Sequence, residues 1–246
     1  MTRVVAVIPG RMESTRFPGK MLVSQSGLPL IVHCANNAAR ATLVDAVCIA
    51  SDSPAIEAAA MEHGIDHRMT RTDHPNGTSR IAQIATDLDA DIIVNVQGDE
   101  PELEPEAIDA TVEALLADDT AAVATAASPI TDPAELTNPN VVKVVLDSHG
   151  RALYFSRAAI GHDRDASGCP HGPSEALRHV GLYVYRPEAL LDYVALPEGA
   201  LEQAERLEQL RLLEHGRVIA VAQVKTTQAG IDTPEQYASW ITRLHA

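Results

Sequence analysis

Three short segments carry residue types that could do chemistry together. The first is Pro9-Gly10-Arg11-Met12-Glu13-Ser14-Thr15-Arg16-Phe17-Pro18-Gly19-Lys20, with three cations, two glycines and two hydroxyls. Arginine presents a fork of donors that matches phosphate oxygens, and glycines let backbone N–H groups approach an anion. The segment is neither a G-x-G-x-x-G fingerprint nor a Walker loop, because Gly19-Lys20 is followed by Met21. A solvated basic loop is the alternative use of Arg11, Arg16 and Lys20, but in an acidic chain the pattern points to a polyphosphate site. The second segment is Val96-Gln97-Gly98-Asp99-Glu100-Pro101. A carboxylate after a turn glycine can reach a metal held by phosphates, since Mg²⁺ usually takes one or two protein carboxylates plus phosphates and water. An ordinary acidic turn would look the same. The third is Gly230-Ile231-Asp232-Thr233-Pro234-Glu235, where Thr233 or Asp232 caps the last helix and Asp232 is otherwise a second carboxylate. A basic loop with Asp99 and Asp232 is what metal-assisted nucleotidyl transfer requires: charge neutralised at phosphorus and a nucleophile held in line.

Each segment adjoins an element that must position it. Val4–Ile8 is a continuous apolar, β-branched run of the kind found in strands buried on both faces. Residues 9–20 form the loop beyond it. A helix is expected from Pro29 to about Ala41, a strand over 44–50, and a helix capped by Ser53 and ended by Gly64. A short strand over 65–69, a helix over about 78–86, a buried strand over 91–96 and a helix over 105–117 follow. This alternation with short connections marks a doubly wound α/β unit over residues 1–130. Beyond Pro129 the pattern changes, with strands over 141–146, 179–185 and 218–224, a helix over 201–215 stopped by Gly216, and a last helix over 234–245. That half reads as an insertion or flap on the same sheet. In an open parallel sheet, ligands bind beyond the carboxyl ends of the strands, where the first two segments fall.

Composition excludes several classes. The 246 residues include 19 Lys and Arg against 34 Asp and Glu, a formal net charge of −15, so nucleic acid and anionic membranes are unsuitable partners. No apolar run approaches the ~20 residues that span a bilayer, and the run before Pro9 is too short for a signal-peptide core. Cys34, Cys48 and Cys169 are odd in number and far apart, which fits a reducing compartment. The expectation is a soluble, cytoplasmic chain.

Beyond the three segments, Asn138-Pro139-Asn140-x-Val142-Lys143, Tyr154-Phe155-Ser156-Arg157, His179-Val180-Gly181-Leu182-Tyr183 and Leu207-Glu208-Gln209-Leu210-Arg211 complete an ordered series. From about residue 4 to 240 this series resembles the CMP-Kdo synthetase family, the 3-deoxy-manno-octulosonate cytidylyltransferases. The resemblance implies a GT-A-like α/β fold with a doubly wound, mixed and mostly parallel sheet and a smaller acceptor and dimerisation subregion. It implies one cytidylyltransferase domain over 1–246, with a nucleotide-binding core (1–130), an acceptor and dimerisation region (131–225) and a C-terminal metal-binding turn and helix (226–246). It further implies a homodimer that uses CTP and Mg²⁺, transfers CMP to a small acidic acceptor and releases pyrophosphate. Arg11, Arg16 and Lys20 would hold the triphosphate, and Asp99 and Asp232 the metal. Pro9, Gly10, Arg71, Asn76, Gly77, Thr78, Arg80 and Gln97 would surround the nucleotide. Gln97, Arg157, His179, Tyr183, Glu208 and Gln209 would line the acceptor pocket, most simply for Kdo.

The chain departs from the family pattern at Gly10, where alanine is usual, at Gly161-His162, where proline and an aromatic residue are usual, and at Gly199-Ala200, where Ser-Pro is common. The last two border the acceptor segments, which keeps a small phosphonate such as phosphonoformate as an alternative acceptor. A nucleotide-binding protein without turnover and a sugar-1-phosphate nucleotidyltransferase are the other readings. His162, Asp163, Asp165, Cys169 and His171 match zinc ligands in type but not in spacing. Core packing accounts for His33 and Cys34, Trp240 packs within the last helix or in an interface, and no Gly-x-Ser-x-Gly elbow is present.

Overall fold

The computed structural model describes residues 2–161, 176–225 and 230–245. In chain order, β1 (Val4–Gly10) leads through a loop and a 3₁₀ turn (Lys20–Leu22) to α1 (Leu30–Ala38) and β2 (Ala46–Ser51). Then come α2 (Pro54–Glu62), β3 (Asp66–Met69), α3 (Gly77–Ala85), β4 (Ile92–Asn95) and α4 (Pro105–Ala117). Next are β5 (Ala121–Pro129), α5 (Ala134–Thr137), β6 (Lys143–Leu146), β7 (Ala152–Ser156) and β8 (Leu177–Tyr185). The series closes with α6 (Pro187–Ala195), α7 (Ala200–Glu205), α8 (Gln209–Glu214), β9 (Val218–Gln223) and α9 (Pro234–Leu244). The fold is α/β with mixed, mostly parallel strand pairings. The chain divides into two compact units, Met1–Asp109 with Gln228–Ala246, and Ala110–Thr227.

In the first unit four strands pair in parallel in the order β3-β2-β1-β4. Consecutive residues of β1 and β4 are buried, so both faces are covered, as a parallel sheet joined by helical crossovers demands. Ile8, Ile49, Ile56, Ile81, Ile92 and Ile93 are fully buried in this core. The register aligns Gly10 with Ser51 and Ser51 with Met69, so the loops after β1, β2 and β3 leave the sheet at one edge. The helix expected from Pro29 starts at Leu30, with Pro29 as its cap, and stops at Ala38. Ser53 caps α2 as expected, and Asn76 caps α3, with its Oδ1 accepting from Ser79 N at 2.8 Å.

In the second unit β5 lies between β8, antiparallel, and β9, parallel, while β6 pairs antiparallel with β7 and β8. The strands β5 and β7 and the helix α6 were not expected from the sequence. The helix expected over 201–215 is two helices, because Arg206 adopts a left-handed conformation (φ 52°) between α7 and α8. The tie is Arg157, whose Nε donates to Glu205 O at 2.7 Å and whose Nη2 donates to Arg206 O at 3.4 Å. Between Thr125 and Ala126 the β5–β8 register slips past Gly181 and Leu182. Beside this irregularity the Thr125 hydroxyl lies 2.7 Å from Leu182 O and 2.9 Å from His179 Nε2.

Candidate functional site

The three segments singled out by their chemistry meet in the first unit. Gly19, in a left-handed conformation (φ 71°), turns the chain so that Lys20 starts the 3₁₀ turn with its side chain directed inward, only 7% exposed. Lys20 Nζ donates to Asp99 Oδ2 at 2.5 Å, to Asp232 Oδ1 at 3.1 Å and to Ile231 O at 3.1 Å. Arg16 Nη2 lies 2.8 Å from the other Asp232 oxygen. Two residues of the basic loop thus bind both candidate carboxylates. Arg11 is exposed in the same loop.

Backbone packing sets this geometry. Gly98 follows β4 where a Cβ would lie 3.2 Å from Pro9 O and 3.1 Å from Met21 Sδ, so the β4 turn passes close under the basic loop. Ile231 N donates to Asp99 O at 2.8 Å, joining the C-terminal turn to that of β4. Thr233, rather than Asp232, caps α9, in a capping box with Gln236, which leaves Asp232 for its ion pairs. Helix α9 is seated by Tyr237 and Trp240, packed with Leu30 and Ile231 and flanked by Phe17, Val23 and Ile241. Trp240 also meets His33 edge-on at 4.9 Å.

The loop before α3 reaches the same end of β1. A Cβ on Gly77 would lie 2.9 Å from Pro9 Cγ, so the two segments are in close contact there. Asn76 is used as the α3 cap and Thr78 is buried. Arg80 is buried: Nη1 donates to Thr70 Oγ1 and, at 3.3 Å, to Arg71 O, while Nη2 pairs with Asp52 at 3.3 Å. Arg80 therefore holds the ends of β2 and β3 together. Arg71 is exposed and pairs with Asp73 at 3.2 Å. Gln97 follows β4, half-buried.

Glu100 was not singled out from the sequence. Burial, then the charges of Asp99 and Asp232, push its carboxyl from the ordinary 4.5 up to about 8. Near neutral pH Glu100 is therefore held largely protonated, and the two charged carboxylates, Asp99 and Asp232, are matched by Lys20 and Arg16. Among the described residues no group of three or more His, Cys, Asp or Glu forms a metal cage. Two carboxylates, with phosphates and water completing the shell, is nevertheless the donor set that Mg²⁺ prefers, so Asp99 and Asp232 fit it. Cys34 is no nucleophile: burial, then Asp99 and Glu100, push its thiol well up.

A family model described as cytidylyltransferase matches residues 5–219. The chain is 46% identical over 233 residues to the 3-deoxy-manno-octulosonate cytidylyltransferase of Solibacter usitatus, covering 95% of this chain and 91% of that protein. It is 45% identical over 249 residues to the protein of the same name from Pelobacter propionicus, covering 99% and 98%. The chain belongs to the 3-deoxy-manno-octulosonate cytidylyltransferase family. It is a nucleotidyltransferase. A solved CMP:2-keto-3-deoxy-manno-octonic acid synthetase, complexed with CTP, superimposes with a TM-score of 0.93 at 38% identity, covering 99% of each chain. A cytidylyltransferase from Leptospira borgpetersenii shares the fold at a TM-score of 0.65 and 14% identity, covering all of this chain and 87% of that one.

Within this cytidylyltransferase family the remaining candidates, Arg157, His179, Tyr183, Glu208 and Gln209, fall in the second unit. Arg157 is committed to the backbone: besides Glu205 and Arg206 it donates to Pro139 O at 2.9 Å, and its own N–H is held by Glu205 Oε2 at 3.0 Å. His179 Nε2 lies 2.9 Å from Thr125 Oγ1, and its ring packs on Phe155 and Tyr183. Burial lowers the imidazole from 6.5 to about 4. Thr125 spends its hydroxyl proton on Leu182 O at 2.7 Å, so the network assigns the His179 proton to Nε2 and leaves Nδ1 the acceptor. Glu208 Oε2 accepts from Tyr193 OH at 3.3 Å, and the Tyr193 ring carries the Arg211 guanidinium at 4.7 Å. Gln209 is 5% exposed, and its Nε2 has no hydrogen-bond partner among the described residues.

Two departures from the cytidylyltransferase pattern have local explanations. At Gly10 the space for a methyl is taken by Ile31, whose Cδ1 lies 2.6 Å from where a Cβ would be. At Gly199 a Cβ would lie 1.9 Å from Glu214 Oε2, because Glu214 reaches back to accept from Leu201 N at 3.0 Å and Glu202 N at 3.2 Å. Its carboxylate does the capping that a serine would do. The segment around His162, Asp163, Asp165, Cys169 and His171 lies outside the described residues.

Proposed function

We propose that the enzyme transfers CMP from CTP to 3-deoxy-manno-octulosonate, with Mg²⁺ and release of pyrophosphate. The observation that carries this reading is the meeting of Lys20 and Arg16 with Asp99 and Asp232 at one end of a parallel sheet. The named relatives supply the acceptor. Arg11, Arg16 and Lys20 bind the triphosphate, and Pro9, Gly10, Asn76, Gly77, Thr78 and Gln97 border the nucleotide, with Arg71 and Arg80 fixing the loop over it. Asp99 and Asp232 hold the metal, which when bound neutralises triphosphate charge. The acceptor hydroxyl gives up its proton to solvent and attacks the α-phosphorus in line, the bond to the β,γ-diphosphate breaks, and pyrophosphate leaves with the charge that the basic loop stabilises. Gln97, Arg157, His179, Tyr183, Glu208 and Gln209 serve the acceptor. The partnerless Nε2 of Gln209 supports that role, because a buried donor is costly unless an oxygen meets it. His179 meets an acidic acceptor as a neutral imidazole. The active species is a homodimer, and light scattering should give the mass of two chains.

The test is pyrophosphate release from CTP and Mg²⁺, with Kdo and phosphonoformate offered separately. Release with Kdo and not with phosphonoformate is the expected result. Release with the phosphonate alone would overturn the acceptor, and CTP binding without release under either would overturn the catalytic reading.

A further inference from the structure

An ammonium group has three N–H donors, and Lys20 spends all three inside the protein, on Asp99, Asp232 and Ile231 O. The same Nζ cannot then also bind a phosphate. The two carboxylates it holds are, on the reading above, those that a divalent cation would take. Lys20 thus has two mutually exclusive uses, and the metal competes with one of them. We propose that Lys20 is an internal counter-cation that keeps Asp99 and Asp232 closed to a divalent metal until a triphosphate draws its ammonium away. Nucleotide and metal then enter as a coupled pair, each raising the affinity for the other by the same factor, as linkage requires.

The surroundings favour this exchange. The Lys20 backbone is fixed by the left-handed Gly19 and by the buried Met21, so only the flexible four-carbon stem need move. Arg16 stays on the second Asp232 oxygen, which keeps that carboxylate oriented while the first is released. The order also has a purpose. A metal bound alone at two carboxylates would neutralise the field that recruits the basic loop, whereas a metal arriving with the triphosphate is placed where its charge is needed.

This inference rests on the assignment of Asp99 and Asp232 as metal carboxylates, and the experiment separates the two. Mn²⁺ binding is followed by electron paramagnetic resonance with no acceptor present, for wild type and Lys20→Met, each with and without CTP. Thermal melts of both proteins with and without Mn²⁺ give a second readout. Wild type should bind Mn²⁺ tightly only with CTP. Lys20→Met should bind Mn²⁺ without CTP at least tenfold more tightly than wild type does, and Mn²⁺ should raise its melting midpoint but not that of wild type. Lys20→Gln, which keeps donors and drops the charge, repeats the measurement if the methionine variant does not fold. If wild type binds Mn²⁺ with CTP but neither variant gains affinity without it, the counter-cation role is refuted and the metal assignment stands. If wild type with CTP shows no protein-dependent Mn²⁺ site, the metal assignment fails and the inference with it.

Discussion

Acid should unfold this enzyme in part through His179. Its imidazole lies against Phe155 and Tyr183 with Nε2 committed to Thr125, and burial lowers it from 6.5 to about 4. Above pH 6.5 native and unfolded states are both neutral at this position, and it costs nothing. Below 6.5 the unfolded chain takes up a proton that the native one refuses, so stability falls as the pH drops towards 4. At pH 5 the loss is about 2 kcal/mol, and at pH 4 about 3 kcal/mol, at ~1.4 kcal/mol per pH unit of difference. Other groups titrate over this range, so the measurement is a difference. Urea unfolding of wild type and His179→Gln is compared at pH 8 and pH 5. Glutamine keeps an N–H for Thr125 and has no proton to gain. The variant should be less stable than wild type at pH 8 because packing against Phe155 is lost, yet should lose about 2 kcal/mol less between the two pH values. Equal losses would show that His179 titrates normally in the native state and would refute the neutral-imidazole account.

Asp99→Asn should lower turnover by about 10²–10³-fold while changing CTP affinity less than tenfold, because on the proposed mechanism this carboxylate acts on the transition state; steady-state kinetics and calorimetric titration with CTP check both. Arg16→Ala should weaken CTP binding roughly tenfold, the scale of one charge-assisted contact, in the same titration. Glu214→Ala should cost about 1 kcal/mol in urea unfolding, as caps typically do, and should cost little in a Gly199→Ser background, where the new hydroxyl caps α7 instead. Additive effects of these two substitutions would show that the carboxylate is not the cap.

The parts of the fold legible in the sequence are those where one property decided the structure. Val4–Ile8 and Ile92–Asn95 are branched and apolar throughout, and only a strand covered on both faces uses such a run. Ser53 and Thr233 announce α2 and α9 by their side chains alone. By contrast β5, with the sequence AAVATAASP, has few branched residues, and it is a strand because β8 and β9 flank it. The break at Arg206 has no glycine or proline to mark it and depends on Arg157, 49 residues earlier in the chain. The site divides likewise. Lys20, Asp99 and Asp232 were visible because each stands just after a turn glycine in a short segment of chemically apt residues. The commitment of Arg80 to Asp52 and Thr70, and the displaced carboxyl of Glu100, arise from neighbours distant in sequence and have no local signature.

The first compact unit is interrupted: its chain leaves at Asp109 and returns at Gln228. On a ribosome this becomes a matter of timing. Strands β1 to β4 and the basic loop emerge early, but the turn bearing Asp232 emerges only after about 120 further residues have been added. At ~5–20 residues per second that is a delay of roughly 6–24 s. Throughout it Lys20 has Asp99 but no Asp232, and the Leu30 surface lacks the Tyr237 and Trp240 that cover it. A nascent chain can thus hold the four strands β1 to β4 before the turn that brings Asp232 to Lys20 exists. Ribosomes stalled within the second unit should carry a protease-resistant core that cannot turn over CTP.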